Sequence, residues 1–241
     1  MIQILPLDGL PEIAPGTDLA ELVAQSHKLE ERDVVVLAQK AVSKAEGRVV
    51  RLDDVEPSVF ARELAGDDGD ARHLEVILRE SKRILRARQS FVIAETRQGF
   101  VCASAGVDAS NTPAEGTLVL LPEDADASAA ELRAALRDRT GCDVGVVISD
   151  SFGRPWRQGT IDVAIGVAGI PALLDLRGTG DARGHELRST QIAVADEIAS
   201  AAELVMGKAK QIPGAILRGL DLDGEGTAAD IPIPEDRDLF R

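Results

Sequence analysis

The sequence predicts an α+β fold, with a mixed, largely antiparallel sheet, packed helices and two intertwined subdomains. Short β-branched runs and helical-period segments follow one another without a strict βαβ rhythm. Two apolar segments flanking Gln98-Gly99 read as a tight hairpin, which favours antiparallel pairing. With 241 residues, 44% of them hydrophobic, residues 1–241 can build one large domain or two small subdomains sharing an interface.

Ile2 to Pro6 reads as a short strand. Asp18 can cap a helix whose apolar positions Leu19, Leu22 and Val23 recur at helical spacing. Asp33 to Ala38 is a buried strand by its run of valines, and Gln39 to Gly47 is expected as a small-residue loop carrying Lys40 and Lys44. Helices follow over Pro57–Ala65 and Ala71–Lys82, separated by the turn Gly66 to Asp70. Phe91–Arg97 and Phe100–Ser104 form the hairpin, and Thr117–Leu121 is a further strand. A helix over Ala129–Arg139 stops at Gly141, and Val144–Ser149 is a buried strand that delivers Asp150 to its end. After a loop from Ser151 to Gln158, Thr160–Val167 is extended, Gly178–Gly184 is a loop, and Thr190–Val205 is a helix. The stretch from Asp221 is acidic and irregular.

A formal net charge of −14 argues against general nucleic-acid binding, which needs a basic face. No apolar run approaches the roughly 18 residues that span a bilayer, and the first residues lack a signal-peptide pattern, so a cytoplasmic protein is expected. Cys102 and Cys142 sit among small or apolar neighbours and read as reduced, buried thiols. There is no P-loop. The glycines of Gly178 to Gly184 miss the dinucleotide spacing, and Asp221 to Gly226 lacks the closing Glu of a calcium loop. His27, His73 and His185 stand beside no promising nucleophile.

Three constellations remain. Ala105 to Asn111 places Asp108 on a turn, where it can hold a hard cation or simply make an Asx-turn capped by Asn111. Ser149 to Gly159 gathers Asp150, Ser151, Arg154, Trp156 and Arg157. Arginines around a carboxylate suit an anionic substrate that meets a metal, although Asp150 could instead pair with one of them as a structural bridge. Gln39 to Gly47 offers two lysines for polyphosphate, or a solvated basic turn. Two carboxylates on separate loops can bind Mg²⁺ or Mn²⁺, and such ions neutralise charge in phosphoryl transfer.

These residues carry a resemblance. Glu80-Ser81 through Arg86, Glu95-Thr96, Gly99 to Ala103, Gly106-Val107-Asp108 with Ser110-Asn111, and Asp150-Ser151-Phe152-Gly153-Arg154-Pro155-Trp156-Arg157 resemble the coenzyme F420-0:L-glutamate ligase family. Val42 to Arg48, Glu203 to Lys208 and the closing Asp238-Leu239-Phe240-Arg241 fit the same pattern, so the resemblance spans nearly the whole chain. It implies a GTP-dependent ligase that adds L-glutamate to the lactyl carboxylate of the F420 precursor, and a further glutamate by γ-linkage, through an acyl phosphate. It also implies a homodimer, two divalent ions (Mg²⁺ or Mn²⁺) and K⁺. Without a second, nitroreductase-like domain, no flavin chemistry is expected.

Carried over by position, Asp108, Asp150 and Ser151 would ligate the metals, with Thr the commoner residue at the last position. Nucleotide contacts would come from Leu10, Pro11, Glu12 and Ile13, from Gln39, Lys40 and Lys44, and from Asn111. Met206, Gly207, Lys208, Gln211 and Pro213 would complete them, with Gln39 standing where His or Ser is familiar. Asp108, Asp150 and Lys44 are the catalytic candidates, with either Lys40 or Lys44 countering phosphate charge. Arg154, Trp156 and Arg157 are the candidates for holding substrate. A related carboxylate–amine ligase for another cofactor, or a nucleotide-binding sensor without turnover, are the alternatives.

Overall fold

Local signals set the first half of the chain in the computed structural model, which describes residues 1–239. Strand β1 (Gln3–Pro6) precedes helix α1 (Leu19–Ser26), which starts where the Asp18 carboxylate accepts the Glu21 N–H at 2.9 Å. Strand β2 (Val34–Ala38) runs without a loop into helix α2 (Gln39–Ala45). The expected loop around Lys40 and Lys44 is therefore helical, and their four-residue spacing places both on one face. Strand β3 (Val49–Arg51) follows, then α3 (Val59–Ala65), capped by Ser58, and α4 (Ala71–Glu80), capped by Asp70.

Helix α4 stops two residues before the expected Lys82, because Ser81 begins strand β4 (Ser81–Arg88). Cross-strand attraction draws that strand in: Lys82 and Arg83 bond the Glu95 carboxylate at 2.7 and 2.6 Å. Strands β5 (Phe91–Thr96) and β6 (Val101–Ala103) form the expected hairpin. Strand β7 (Thr117–Val119) pairs with β3. Helix α5 (Ala125–Thr140) begins one turn earlier than expected because Asp124 caps it, and it ends at Gly141 in the left-handed conformation.

Strand β8 (Gly145–Arg154) continues through Ser151 instead of giving way to the expected loop. It turns at Pro155-Trp156 into β9 (Arg157–Ala168). The short pair β10 (Leu174–Asp175) and β11 (Gln191–Ile192) closes an exposed flap, which contains Gly178 to Gly184. Helix α6 (Val194–Met206) starts later than the expected Thr190, and β12 (Gly214–Arg218) is a strand with no counterpart in the sequence reading.

The main sheet has the order β1-β12-β2-β8-β9. Only β2 and β8 are parallel; the other neighbours are antiparallel, in keeping with the mixed α+β class. Strand alternation sends Val35, Leu37, Val146 and Ile148 into one apolar cluster with α1 and α5. Val34, Val36 and Val147 enter another cluster against α6. A second layer packs α3 and α4 under the β4-β5-β6 sheet around Leu74, Ile77, Val92 and Ala94.

Two features fix the geometry near Asp150. Ile148 faces Gly166 while Ser149 faces Ala164, so β9 carries Ile165 as one extra residue. At Gly166 a Cβ would stand 2.2 Å from the Ala125 carbonyl oxygen, so glycine is what lets α5 approach the strand.

Among the described residues no helix is long and apolar enough to cross a membrane. Both cysteines are free, and burial pushes the Cys102 thiol up to about 12. The acidic turn at Asp221 and Asp223 is bonded to Arg32. Of the closing motif, Phe240 and Arg241 lie outside the described residues.

Candidate active site

The parallel pair β2–β8 ends at Ala38 and Ser149, side by side, and a cleft of about 860 Å³ opens there. Chain segments far apart in sequence line it: the loop Asp8 to Ile13, the start of α2, the turn at Asp108, the end of β8, and the loop after α6. Its size falls within the range of small-molecule sites. Leu10, Pro11, Glu12, Ile13, Gln39, Lys40, Lys44, Asp108 and Asn111 all line it. So do Asp150, Ser151, Met206, Gly207, Lys208, Gln211 and Pro213. Arg154, Trp156 and Arg157 do not; they lie at the tip of the β8–β9 hairpin, where Trp156 is 84% exposed.

Charge is tightly organised inside the cleft. Lys40 Nζ stands 2.6 Å from Asp108 Oδ2 and also donates to Ser110 Oγ at 2.8 Å. The Ser110 N–H bonds Asp108 Oδ1 at 2.7 Å, so Asp108 makes an Asx-turn and faces the cleft at once. Burial alone would raise the Asp108 carboxyl, but Lys40 and the Ser110 N–H together hold it below its ordinary value. Lys44 reaches across to Glu12 at 2.8 Å, and Asn111 Nδ2 donates to the Lys208 carbonyl at 3.4 Å.

Asp150 behaves in the opposite way. Burial, reinforced by the negative charges of Asp162 and Asp108, pushes its carboxyl up to about 7 against the opposing pull of the Ser151 N–H and Lys40. Among the described residues neither Arg154 nor Arg157 forms an ion pair with it; Arg154 donates instead to the Gly159 carbonyl at 3.4 Å. The structural-bridge reading of Asp150 is thereby set aside.

A match to the family model described as F420-0:Gamma-glutamyl ligase covers residues 9–219. The chain belongs to that family. It is 50% identical to the coenzyme F420:L-glutamate ligase of Methanopyrus kandleri, over all of this chain and 97% of the relative. It is 40% identical to the enzyme of that name from Methanothermobacter thermautotrophicus, over all of this chain and 99% of the relative. The Methanocaldococcus jannaschii enzyme of that name is 45% identical, over 93% of this chain and 90% of its own length.

Two cleft residues of this family member escaped the sequence reading. Asp162 on β9 stands opposite Ser151; it accepts from Ser151 Oγ at 2.7 Å and from Ser149 Oγ at 3.1 Å. Recognising Pro155-Trp156 as a hairpin turn would have paired these positions. Glu203 on α6 lines the same cleft, and burial together with Asp162 raises its carboxyl.

The donor set fits a hard divalent cation. Asp108, Asp150 and Ser151 offer oxygen only, and a cation would relieve the repulsion from Asp162 and Asp108 that adds to the burial of Asp150. Among the described residues no three His, Cys, Asp or Glu side chains form a metal cage by themselves.

Proposed function

We propose that this protein is a GTP-dependent ligase that joins L-glutamate to the lactyl carboxylate of the F420 precursor and then adds a further glutamate by γ-linkage. The observation that carries the reading is the convergence of Asp108, Asp150 and Ser151 with Lys40 and Lys44 in one cleft. Family membership and the coenzyme F420:L-glutamate ligase activity for which its relatives are named supply the substrates.

In this reading the loop Leu10 to Ile13 and the loop Met206 to Pro213 hold the nucleotide between them, with Gln39 and Asn111 on the cleft wall. Lys44 exchanges Glu12 for a phosphate oxygen, and Lys40 lies where it can counter charge on the group in transfer. Asp108, Asp150 and Ser151 would hold two divalent ions, Mg²⁺ or Mn²⁺, which would neutralise charge on the triphosphate and the transferring phosphoryl group. The substrate carboxylate attacks the γ-phosphate to give an acyl phosphate, since a free carboxylate is too poor an electrophile for an amine. Holding carboxylate and phosphate in line is worth up to roughly 7–11 kcal/mol.

The test is incubation with GTP, Mn²⁺, L-glutamate and the precursor, read by mass spectrometry. A gain of one and then two glutamyl units with GDP release is expected. Metal and nucleotide binding without that product would favour a ligase for another acid. GTP binding without precursor-dependent GDP release would favour a sensor.

The metal assignment makes a separate prediction about pH. With Asp150 at about 7, an arriving cation must displace a proton below neutrality. Mn²⁺ affinity of the nucleotide-free protein should rise up to about tenfold per pH unit between pH 5.5 and 7, then level off. Calorimetry in two buffers of different ionisation enthalpy checks this. A flat profile would remove Asp150 from the ligand set.

A further inference from the structure

The proposed ligation leaves a proton without a destination. Glutamate arrives with its amine as an ammonium, which has no lone pair with which to attack an acyl phosphate, so some group must bind and deprotonate it. Lys40 and Lys44 are cations and unsuited to the task. Among the carboxylates lining the cleft, Asp108 is paired with Lys40, and Glu12, which Lys44 releases on binding phosphate, is 78% exposed on the nucleotide loop. Asp162 is bonded by two serines, and Asp150 belongs to the metal set. Asp8 is exposed at the rim.

Glu203 is different. It is half-buried, lines the cleft, and among the described residues no Lys or Arg side chain is within ion-pair distance of it, although Lys208 and Lys210 attract it more weakly; the Lys208 backbone N–H is its hydrogen-bond donor. Its position is fixed by the helix. Ser200, three residues earlier and so on the same face of α6, donates to the Asp162 carbonyl at 2.7 Å. That bond sets the Glu203 face of α6 against β9 beside Asp162, whose partner Ser151 adjoins Asp150. Lys208 and Lys210, on the loop that follows, line the same cleft and offer cations to an amino acid's carboxylates.

A second observation points to a bound acceptor nearby. Gln39 is 1% exposed and lines the cleft; Ser43 Oγ donates to its Oε1 at 2.9 Å, while its Nε2 has no partner. Because Ala38 pairs with Ser149 in parallel register, Gln39 leaves β2 beside Asp150. A buried donor there can bond an acceptor oxygen of a bound molecule, such as that of an acyl phosphate.

We propose that Glu203 is the catalytic base of the amine step, an inference that rests on the ligase reading. Its carboxylate binds the incoming ammonium and takes one proton. The freed lone pair forms the C–N bond, the C–O bond to phosphate breaks, and phosphate leaves with that electron pair and the second N–H proton. The burial that raises the Glu203 carboxyl makes it a better proton acceptor.

Glu203→Gln tests this against hydroxylamine, a nucleophile that is unprotonated at neutral pH and needs no base. With GTP, Mn²⁺ and precursor, the variant should form hydroxamate within about threefold of the parent rate. Its glutamyl product should fall by at least about 100-fold. A parallel loss of both products would overturn the inference by assigning Glu203 to the phosphoryl step or to the fold. Glutamate ligation kept above about a third of the parent rate would also overturn it. A parent protein that forms neither product sinks the ligase reading, and this inference with it. An active parent with an unimpaired variant sinks the inference alone.

Discussion

Asp150→Asn is expected to lower ligation by at least about 1,000-fold while leaving the protein as stable as the parent or more so. The activity loss follows from removing one of the two carboxylates proposed to hold the charge-neutralising ions, a contribution worth several kcal/mol. The stability sign follows from linkage. The folded carboxyl titrates at about 7, above its ordinary 3.8, so the native state holds a proton that the unfolded chain has released. Stability contributed by that proton is present below pH 4 and is lost as pH rises toward 7. The amide never ionises and escapes the loss. At pH 8, without metal, the variant should gain on the order of 2 kcal/mol, and the difference should vanish near pH 4. Thermal melts at the two pH values, alongside the glutamyl assay, decide it. Near-normal turnover would rule out Asp150 as a metal ligand.

Asp33→Ala should cost roughly 3 kcal/mol of folding free energy with no direct effect on the cleft. Asp33 is 1% exposed at the start of β2, and both its oxygens accept from Arg218, at 2.9 and 2.7 Å, at the end of β12. Removing the acid leaves a guanidinium held only by Glu30 and the Lys28 carbonyl. The loss is therefore that of a half-buried charge whose fully buried partner is gone. Urea unfolding of Asp33→Ala and of Asp33→Leu with Arg218→Met should separate the effects, the pair recovering much of what the single change loses. A single variant within 0.5 kcal/mol of the parent would place the tie elsewhere.

The strands that build the floor of the cleft were legible because runs such as Val34-Val35-Val36 permit little else; Asp150, expected at the end of its strand, instead lies within β8, and it lines the cleft with Asp108 and Ser151. Helix α2 was not legible. It is seven residues long, leaves a strand directly, and Ala38 makes no side-chain cap, so the usual start signal is missing. The β8–β9 hairpin was hidden by Gly153, Pro155 and Gly159, which look like a loop although only Pro155-Trp156 turns. Strand β4 was hidden by its charges, since Lys82 and Arg83 find their partners far along the chain, in Glu95 across the sheet and, for Arg83, in Glu235 as well. Asp162 and Glu203 share this character: nothing local distinguishes them, and their meaning comes from residues 11 and 41 positions away in Ser151 and Asp162. Chemistry assembled across the sheet is invisible along the chain.

Because Ile165 is taken up as a bulge and not paired, Asp162 meets Ser151. Paired regularly, the strand would slip by one residue and Val163 would stand opposite Ser151 in its place. Register is thus as strict a requirement here as chemistry. A one-residue slip in this strand would turn an acid away from the serines without changing a single letter, whereas the exposed flap between Asp175 and Gln191 could grow or shrink freely.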